Sequence, residues 1–380
     1  MAALGAPTPG MNIPLAKVDI LPKDIQRVTR TIRSGWIMQG PQVGAFEKAV
    51  AIYCGVSHTV ATSSGTTALH LALHLAGVTS GDEVIVPSFS WIASANSVRY
   101  CSATPVFCDA DGSTYNMTPE TVAPLITSRT KAILLVHQFG MPCHLGAFSV
   151  LSKKHGLALI EDAACAIGSQ YENKPVGNCH YSTITCLSFH PRKVVTTGEG
   201  GMLLTNDIQL AKTARILRNH GAASDGTFTH IGYNYRMTDM QAALGVDQIA
   251  RLKLTISKRR AIAQQYCSLL GKHPLITLPE EPVNCQTNYQ SFMVRLRKRA
   301  FPQRDTIAQD LAADGIACRK SIAPAHLEPC YTAIQEQVSL PQTEQLAKDG
   351  LILPLFSSMT KIQVKRVCLR LAASLQTRCG

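Results

Sequence analysis

The sequence predicts an α/β protein in which helices cover a parallel β-sheet, and three observations support that fold class. Short apolar runs alternate with longer helical stretches from about residue 58, which is the pattern of a layered α/β domain. The runs Ala132–Val136 and Leu157–Ile160 are almost continuously apolar, as strands buried on both faces of a parallel sheet are. A helix predicted over His144–His155 separates the two runs.

The other elements of the first 270 residues follow from the same patterns and from helix caps. Leucines at positions 69, 73 and 75 mark one helix, and Thr118 and Pro119 are a good N-cap and first residue for another. In chain order we predict strand His58–Ser63, helix Gly65–Gly77, strand Glu83–Pro87, helix Ser90–Tyr100, strand Pro105–Cys108, a helix beginning at Thr118, strand Met202–Leu204, and one or two helices over Ala242–Leu270.

The pattern changes after the turn Gly271–Pro274, where isolated elements replace the regular alternation. The later elements are strands Ser291–Leu296 and Leu351–Leu353 and helices Asp305–Ala313 and Lys361–Leu375. We therefore predict two domains. Residues 1–270 form an N-terminal segment and a large domain, and residues 271–380 form a smaller α+β domain.

Composition excludes several classes of protein. A chain of 380 residues with 46% hydrophobic and 16% charged residues is globular, with about two to three domains. The 13 cysteines include no C-x-x-C pair, so we predict reduced, buried thiols and no metal site. No signal-peptide pattern begins the chain, and no apolar run approaches about 20 residues. We expect a cytoplasmic protein that does not span a membrane.

The charge balance suits an anionic partner. Lys and Arg number 37 against 25 Asp and Glu, which gives a net charge of +12. Nucleic acid, an anionic membrane or a phosphorylated small molecule would each fit such a surplus. The basic runs Lys258–Arg260 and Arg295–Arg299 are better interpreted as solvated faces, since no RNA-binding aromatic motif or zinc-finger spacing accompanies them. We expect no nucleic-acid binding.

Two segments place polar groups where predicted strands end. The run Thr62–Leu69 passes from a strand through small hydroxylic residues and Gly65 into a helix, whose first backbone N–H groups favour an anion. An ordinary helix cap is the alternative there. Glu161 and Asp162 end an apolar strand, and at least one of them would face a buried site and need a cationic partner. A structural ion pair or a helix cap is equally compatible with these acids.

Two further segments carry a lysine and a polar loop. The run Cys186–Lys193 leads from a strand into a turn bearing Lys193, and a glycine-rich stretch follows it. A lysine in a protein-lined cleft can lose its proton and form a Schiff base, although a solvated loop lysine is the default interpretation. The loop Gly232–Asp239 is dense in polar and aromatic residues and precedes an alanine-rich helix, so it lines a site or forms a packed turn.

Together these four segments resemble the pyridoxal-phosphate-dependent sugar aminotransferases of the DegT/StrS type. They occur in family order and spacing, and the resemblance extends from about Asp24 to the C-terminal segment, including Gly81–Ser88 and Trp91–Asn96. It implies the fold type I of PLP-dependent transferases, which is aspartate aminotransferase-like. That fold has a large, mostly parallel sheet domain and a smaller C-terminal α+β domain. The resemblance also implies pyridoxal 5'-phosphate as cofactor and a homodimer with shared active sites.

The resemblance implies a role for each motif residue. Lys193 would hold the cofactor covalently, and Asp162 would pair with the pyridine nitrogen and keep the ring protonated. The remaining implied contacts are Trp91 over the ring face, Gly65, Thr66 and Ser188 at the phosphate, Asn234 at the phosphate of the other subunit, Arg236 at the substrate, and His190 as a catalytic residue beside Lys193.

One position departs from the family pattern. Cys165 stands where relatives usually have His or Gln in contact with the phenolic oxygen of the cofactor, and a thiol is a weak donor. Lys193 itself is retained, whereas relatives that dehydrate the sugar have histidine in its place, so Lys193 favours transamination.

The predicted reaction is transfer of an amino group from L-glutamate to C4 of a nucleotide-linked keto-6-deoxyhexose, as in perosamine synthesis. The same chemistry on a 3-keto sugar nucleotide, or on a keto-inositol with glutamine as donor, is an alternative. A regulatory or nucleic-acid-binding protein on this fold is a second one. Lys193, Asp162 and Ser188 argue against it, because a binding protein has no need of a Schiff-base lysine.

Overall fold

The computed structural model describes residues 13–333 and 338–379. Its strands, in chain order, are β1 (His58–Thr62), β2 (Glu83–Pro87), β3 (Thr104–Cys108), β4 (Thr130–Val136), β5 (Ala158–Asp162), β6 (Gln170–Tyr171), β7 (Lys174–Pro175), β8 (Ile184–Ser188), β9 (Gly201–Thr205), β10 (Ile276–Thr277), β11 (Cys285–Gln286), β12 (Phe292–Leu296), β13 (Arg319–Lys320) and β14 (Gly350–Leu353).

The α-helices within the described residues pack around these strands. They are α1 (Pro22–Arg33), α2 (Pro41–Cys54), α3 (Gly65–Leu75), α4 (Ala93–Tyr100), α5 (Pro119–Val122), α6 (Leu145–His155), α7 (Ile208–Leu217), α8 (Asp239–Ala250), α9 (Leu252–Leu270), α10 (Arg304–Ala313), α11 (Pro329–Thr332), α12 (Pro341–Asp349) and α13 (Lys361–Cys379).

The large sheet has seven strands in the order β1-β9-β8-β5-β4-β2-β3. All neighbours pair in parallel except β9, which is antiparallel to both β1 and β8. The predicted α/β class with a mostly parallel sheet is therefore confirmed. Because β1, β2, β4, β5 and β8 run the same way, their carboxyl ends meet at one edge, which is where such sheets bind ligands.

Helices cover both faces of this sheet, and the two-residue period of the strands sorts side chains between the faces. On β9, Leu203 packs in the cluster that contains α3, α4 and α7. Its neighbours Met202 and Leu204 belong to the opposite cluster, with Phe46 of α2 and Ala242 of α8. Residues on both faces are buried, which explains why these strands are apolar without interruption.

A second sheet of four strands, in the order β10-β12-β14-β13, lies in the last third of the chain. Its core includes Phe292 and Leu351 from the sheet and Leu371 from α13. Ile13 joins the same core and forms a parallel bridge to Ile316, so the N-terminal segment also contacts this part of the molecule. The division of the chain into two domains at residue 270 stays a prediction.

Most predicted elements occur within a few residues of their expected bounds, and the exceptions have local causes. The helix predicted from Ser90 begins at Ala93. The helix beginning at Thr118 has the predicted cap but is short, because a tighter turn containing Pro124 follows it. The long helical stretch is two helices, α8 and α9, which break at Arg251. Helices α1, α2, α7, α11 and α12 and the two-residue strands β6, β7, β10, β11 and β13 were not predicted.

The structure also bears on the expectation that the cysteines are reduced and buried. All 13 cysteines are free, and most are buried, but Cys330 is exposed, which corrects the prediction that the thiols are buried. Burial raises the pKa of Cys54 and Cys179 to about 12.

Within residues 13–333 and 338–379 no helix combines the length and the apolarity needed to cross a membrane.

Candidate active site

Asp162 ends β5 at the edge where the parallel strands meet, and its side chain is only 5% exposed. Its carboxylate accepts a hydrogen bond from Ser94 Oγ at 2.8 Å and another from the backbone N–H of Ala164 at 3.1 Å. Both donors are neutral, and no cationic side chain in the described ranges lies within ion-pair distance. A buried carboxylate without a cation is costly, so this position suits a positively charged ligand atom.

The neighbouring Glu161 faces the other side of the sheet and is fully partnered. Its carboxylate lies 2.7 Å from His137 Nε2 and also accepts hydrogen bonds from Ser182 and Thr185. His137 Nδ1 accepts from the backbone N–H of Cys143 at 3.0 Å, so Nε2 carries the proton donated to Glu161. Of the two acids, only Asp162 is left without a strong partner.

Lys193 lies on the turn after β8, where it is half-buried beside the end of β5. Its Nζ donates to Cys165 Sγ at 3.1 Å, and Cys165 comes three residues after Asp162. The fully buried Asn288 fixes this turn, since its Nδ2 donates to the carbonyl oxygens of Cys165 and Ile167, each at 2.9 Å. The amine, the thiol and the buried carboxylate thus gather at the ends of two adjacent strands.

The start of α3 and the end of β8 form a narrow cradle. Ser64 caps the helix, because its Oγ accepts from the backbone N–H of Thr67 at 3.1 Å. A Cβ atom at Gly65 would lie 2.8 Å from Ser188 Cβ, and one at Gly201 would lie 2.1 Å from the Ser64 carbonyl oxygen. Glycine at these two positions therefore lets the start of α3 approach the end of β8 and the start of β9.

The first amides of α3 are available to a ligand. No described residue accepts a hydrogen bond from the backbone N–H of Gly65 or Thr66, and Ser188 is only half-buried beside them. Free amides and the positive end of the helix dipole together favour an anion such as a phosphate.

Trp91 and His190 are two further motif residues of the candidate site. Trp91 lies on the loop after β2 and is 51% exposed, with Arg319 Cζ at 5.9 Å from its ring centroid. Burial lowers the pKa of His190 from its ordinary value of 6.5, so the imidazole is neutral near pH 7. Its Nδ1 accepts from the backbone N–H of Arg192 at 3.2 Å, which orients the ring within the turn that carries Lys193.

Asn234 and Arg236 lie on a loop beside the start of α3. The backbone N–H of Ser63 donates to the Tyr235 carbonyl oxygen at 2.8 Å, which fixes the loop next to the cradle. Arg236 Nη1 donates to Asn219 Oδ1 at 2.8 Å. The Asn234 side chain is exposed and has no hydrogen bond to a described residue.

Three further site residues were not singled out from the sequence. Ser94 lies within the Trp91–Asn96 segment in the first turn of α4, and its Oγ is 3.1 Å from Ser90 Oγ on the loop before that helix. Asn288 and Arg319 have no local motif, and only the folded chain brings them to the site. No cluster of three or more metal-ligating side chains occurs among the described residues.

Comparison with known proteins shows what the chain is similar to. The model of the DegT/DnrJ/EryC1/StrS aminotransferase family matches residues 19–372. A GDP-perosamine synthase of Caulobacter vibrioides is 40% identical over 338 residues, which are 87% of this chain and 90% of that protein.

Solved structures of aminotransferases are similar to nearly the whole chain. The crystal structure of the aminotransferase TlmJ from Streptoalloteichus hindustanus has a TM-score of 0.90 at 32% identity, and the match covers 97% of this chain and 99% of that one. A candidate sugar aminotransferase of Streptococcus pneumoniae in its PLP-form has a TM-score of 0.91 at 27% identity, over 97% and 100% of the two chains.

Proposed function

The chain belongs to the DegT/DnrJ/EryC1/StrS aminotransferase family, and we propose that it uses pyridoxal 5'-phosphate to transfer an amino group from L-glutamate to a keto sugar nucleotide in the cytoplasm. The observation that carries this proposal is the buried Asp162, which lacks a cationic partner among the described residues. The half-buried Lys193 contacts Cys165, three residues after Asp162. A transaminase needs both groups, because the acid would contact the ring nitrogen of the cofactor and the amine would bind its aldehyde.

The residues present fit this cofactor. The free amides of Gly65 and Thr66, with Ser188, would hold the phosphate, and Asp162 would hold a proton on the pyridine nitrogen. Lys193 Nζ would bind the aldehyde carbon. When bound, the cofactor supplies an electron sink that stabilises a carbanion at the substrate carbon.

The side chains of this protein would contribute orientation and proton transfer. Asp162 is fixed by Ser94 and by the Ala164 amide, so its carboxylate is pre-oriented toward a cation. Lys193 Nζ, when free, would move a proton to and from the substrate carbon. The neutral His190 would support the turn that carries Lys193 and could accept a proton in the cleft. Trp91 would cover the ring face and exclude water.

The substrate class rests on the relatives. The similar protein of Caulobacter vibrioides is named for making GDP-perosamine, which favours a nucleotide-linked sugar whose keto group is at C4. The net charge of +12 suits a substrate that carries a diphosphate. The relatives do not favour the alternative of a 3-keto sugar nucleotide, or of a keto-inositol with glutamine as donor.

We place two shared active sites in a homodimer. Asn234 would reach the cofactor phosphate of the other subunit, and Arg236 would contact the substrate. The loop that bears them also exposes Phe228 and Ile231, which are 73% and 94% exposed in a single chain. Exposed apolar side chains of this size on one loop suit burial against a second copy.

A screen of amination tests the proposed reaction. The purified protein, with pyridoxal phosphate, is incubated with glutamate or glutamine and with a panel of 4-keto and 3-keto sugar nucleotides, and products are identified by mass spectrometry. We expect amination of a 4-keto-6-deoxy sugar nucleotide with glutamate as donor. Amination of only a 3-keto sugar or an inositol would favour the alternative, and no product with any member would overturn the proposal.

A further inference from the structure

Two arginines of the site, Arg192 and Arg319, have no anionic partner among the described residues. Both are half-buried, yet neither guanidinium donates a hydrogen bond to, or forms an ion pair with, a residue in the described part of the chain. Every other described arginine that is not exposed donates at least one side-chain hydrogen bond, such as Arg218 to Glu47 at 2.7 Å. These two therefore differ from the structural arginines of the molecule.

The two arginines reach the cleft from different sheets. Arg192 precedes Lys193 on the turn after β8 of the large sheet, and Arg319 lies on β13, an edge strand of the small sheet. Arg319 is held against the ring of Trp91. Arg192 lines a small cavity together with Ile352 of β14, and Ile352 pairs with Arg319, so β13 lies next to the cavity that Arg192 lines. Burial lowers the pKa of both arginines, and the positive charge of Arg319 lowers the pKa of Arg192 further.

This arrangement is unfavourable without a ligand. A half-buried guanidinium has lost part of its hydration, and two like charges in one cleft repel each other. Lys193, which directly follows Arg192, adds a third basic side chain. An anion with several oxygens would satisfy the two planar guanidinium groups, which match carboxylate and phosphate geometry bidentately.

We propose that Arg192 and Arg319 form a clamp for an anionic oxygen group of a substrate, either a carboxylate of the amino donor or the diphosphate of the sugar nucleotide. The clamp deepens the proposed function, on which it rests for the identity of the substrates. Because one arginine comes from each sheet, a bound anion would also bridge the two sheets next to Trp91.

Binding of unreactive anions tests the clamp. The full-length protein, saturated with pyridoxal phosphate, is titrated by calorimetry with glutarate, which imitates the donor without its amine, and with inorganic pyrophosphate. We expect Arg192→Gln and Arg319→Gln each to weaken one or both probes by about tenfold or more, the factor for a loss of about 1.4 kcal/mol. Arg319→Lys, which keeps the charge but not the planar fork, should lie between. Arg299→Gln, which removes an exposed charge, is the matched control.

The result separates the two sources of the anion. Weakening of glutarate alone assigns the clamp to the donor, weakening of pyrophosphate alone assigns it to the sugar nucleotide, and weakening of both assigns it to the two substrates in turn. The clamp is wrong if neither probe binds, if both variants bind within about twofold of the unaltered protein, or if Arg299→Gln has an equal effect. Because the probes do not react, a failed amination screen would leave this result standing.

Discussion

Two acids that are adjacent in the chain have opposite surroundings. Glu161 is enclosed by His137, Ser182 and Thr185, which satisfy it from within the fold. Asp162 receives only two neutral hydrogen bonds at the sheet edge, where Lys193 lies nearby. We call Glu161 with His137, Ser182 and Thr185 the closed set, because these residues can stabilise the protein without a ligand. We call Asp162, Cys165 and Lys193, at the ends of β5 and β8, the open set. Its charged groups need a ligand as partner, and for that reason we assign the chemistry to it.

The largest expected effect is recovery of activity when two impaired variants form a mixed dimer, because we propose that Asn234 of one subunit contributes to the active site of the other. Lys193→Ala and Asn234→Ala homodimers should both be impaired, because each lesion affects every site. In a mixed dimer one site would combine both lesions and the other would have neither. Co-expression should therefore restore activity, as expected for an interface in which each subunit gives and receives the same contact.

The control is co-expression of Lys193→Ala with Asp162→Ala, two lesions assigned to the same subunit's share of the site, which should not recover. If native mass spectrometry confirms hybrid dimers and the Asn234→Ala pair still has no activity, the sites are not shared. Asn234 would then act within its own subunit.

The next effect separates the two acids directly. Asp162→Ala should weaken cofactor binding by about 3–5 kcal/mol, the cost of removing one partner of a buried charge pair, and should suppress transamination. Glu161→Ala should instead lower the free energy of unfolding by about 1–3 kcal/mol, because it leaves buried donors unsatisfied.

Cofactor titration and denaturant unfolding measure both variants. Normal cofactor affinity and a normal rate in Asp162→Ala would show that Asp162 is structural. Equal losses of stability in the two variants would remove the contrast between the open and the closed set.

The phosphate cradle should give a smaller effect. Gly65→Ala puts a Cβ atom within contact distance of Ser188 Cβ, so α3 must shift away from β8. We expect weaker binding of pyridoxal phosphate by about tenfold, the equivalent of about 1.4 kcal/mol, with the fold retained. Gly44→Ala is the control, since a Cβ there meets no atom within 4 Å. Unchanged cofactor affinity in Gly65→Ala would place the phosphate elsewhere.

The smallest effect concerns Cys165. Cys165→His should be tolerated and should shift the visible absorption of the bound cofactor, because imidazole is a stronger hydrogen-bond donor than a thiol. The contact between Cys165 Sγ and Lys193 Nζ places this side chain beside the proposed cofactor lysine. An unchanged spectrum would mean that the side chain at 165 does not face the cofactor ring.

Local chemistry explains how much of the molecule could be predicted from the sequence. The strands around Ile133 and Ile160 are apolar because both faces are buried, and Thr118 caps its helix through neighbouring residues. Such features depend on a few consecutive residues. Lys193 and Asp162 could be singled out because Asp162 ends such a strand and Lys193 lies on the turn after another, but their roles were implied by the family resemblance.

Contacts between distant segments could not be predicted in this way. Asp239, the first residue of α8, accepts from the backbone N–H groups of Gly40, Gln42 and Val43 at the start of α2. Thr238 caps α8. The approach of Arg319 to Trp91 likewise joins residues from the two sheets, and no local pattern records it.

Reduction with borohydride followed by peptide mapping tests most directly whether the open set is the active site. Purified protein should be yellow, and borohydride should fix the cofactor to the peptide that contains Lys193, the half-buried amine beside Cys165. Lys193→Ala should fold normally, take up no label and lose turnover. Label on another lysine, or full activity in Lys193→Ala, would contradict the assignment of the chemistry to the ends of β5 and β8.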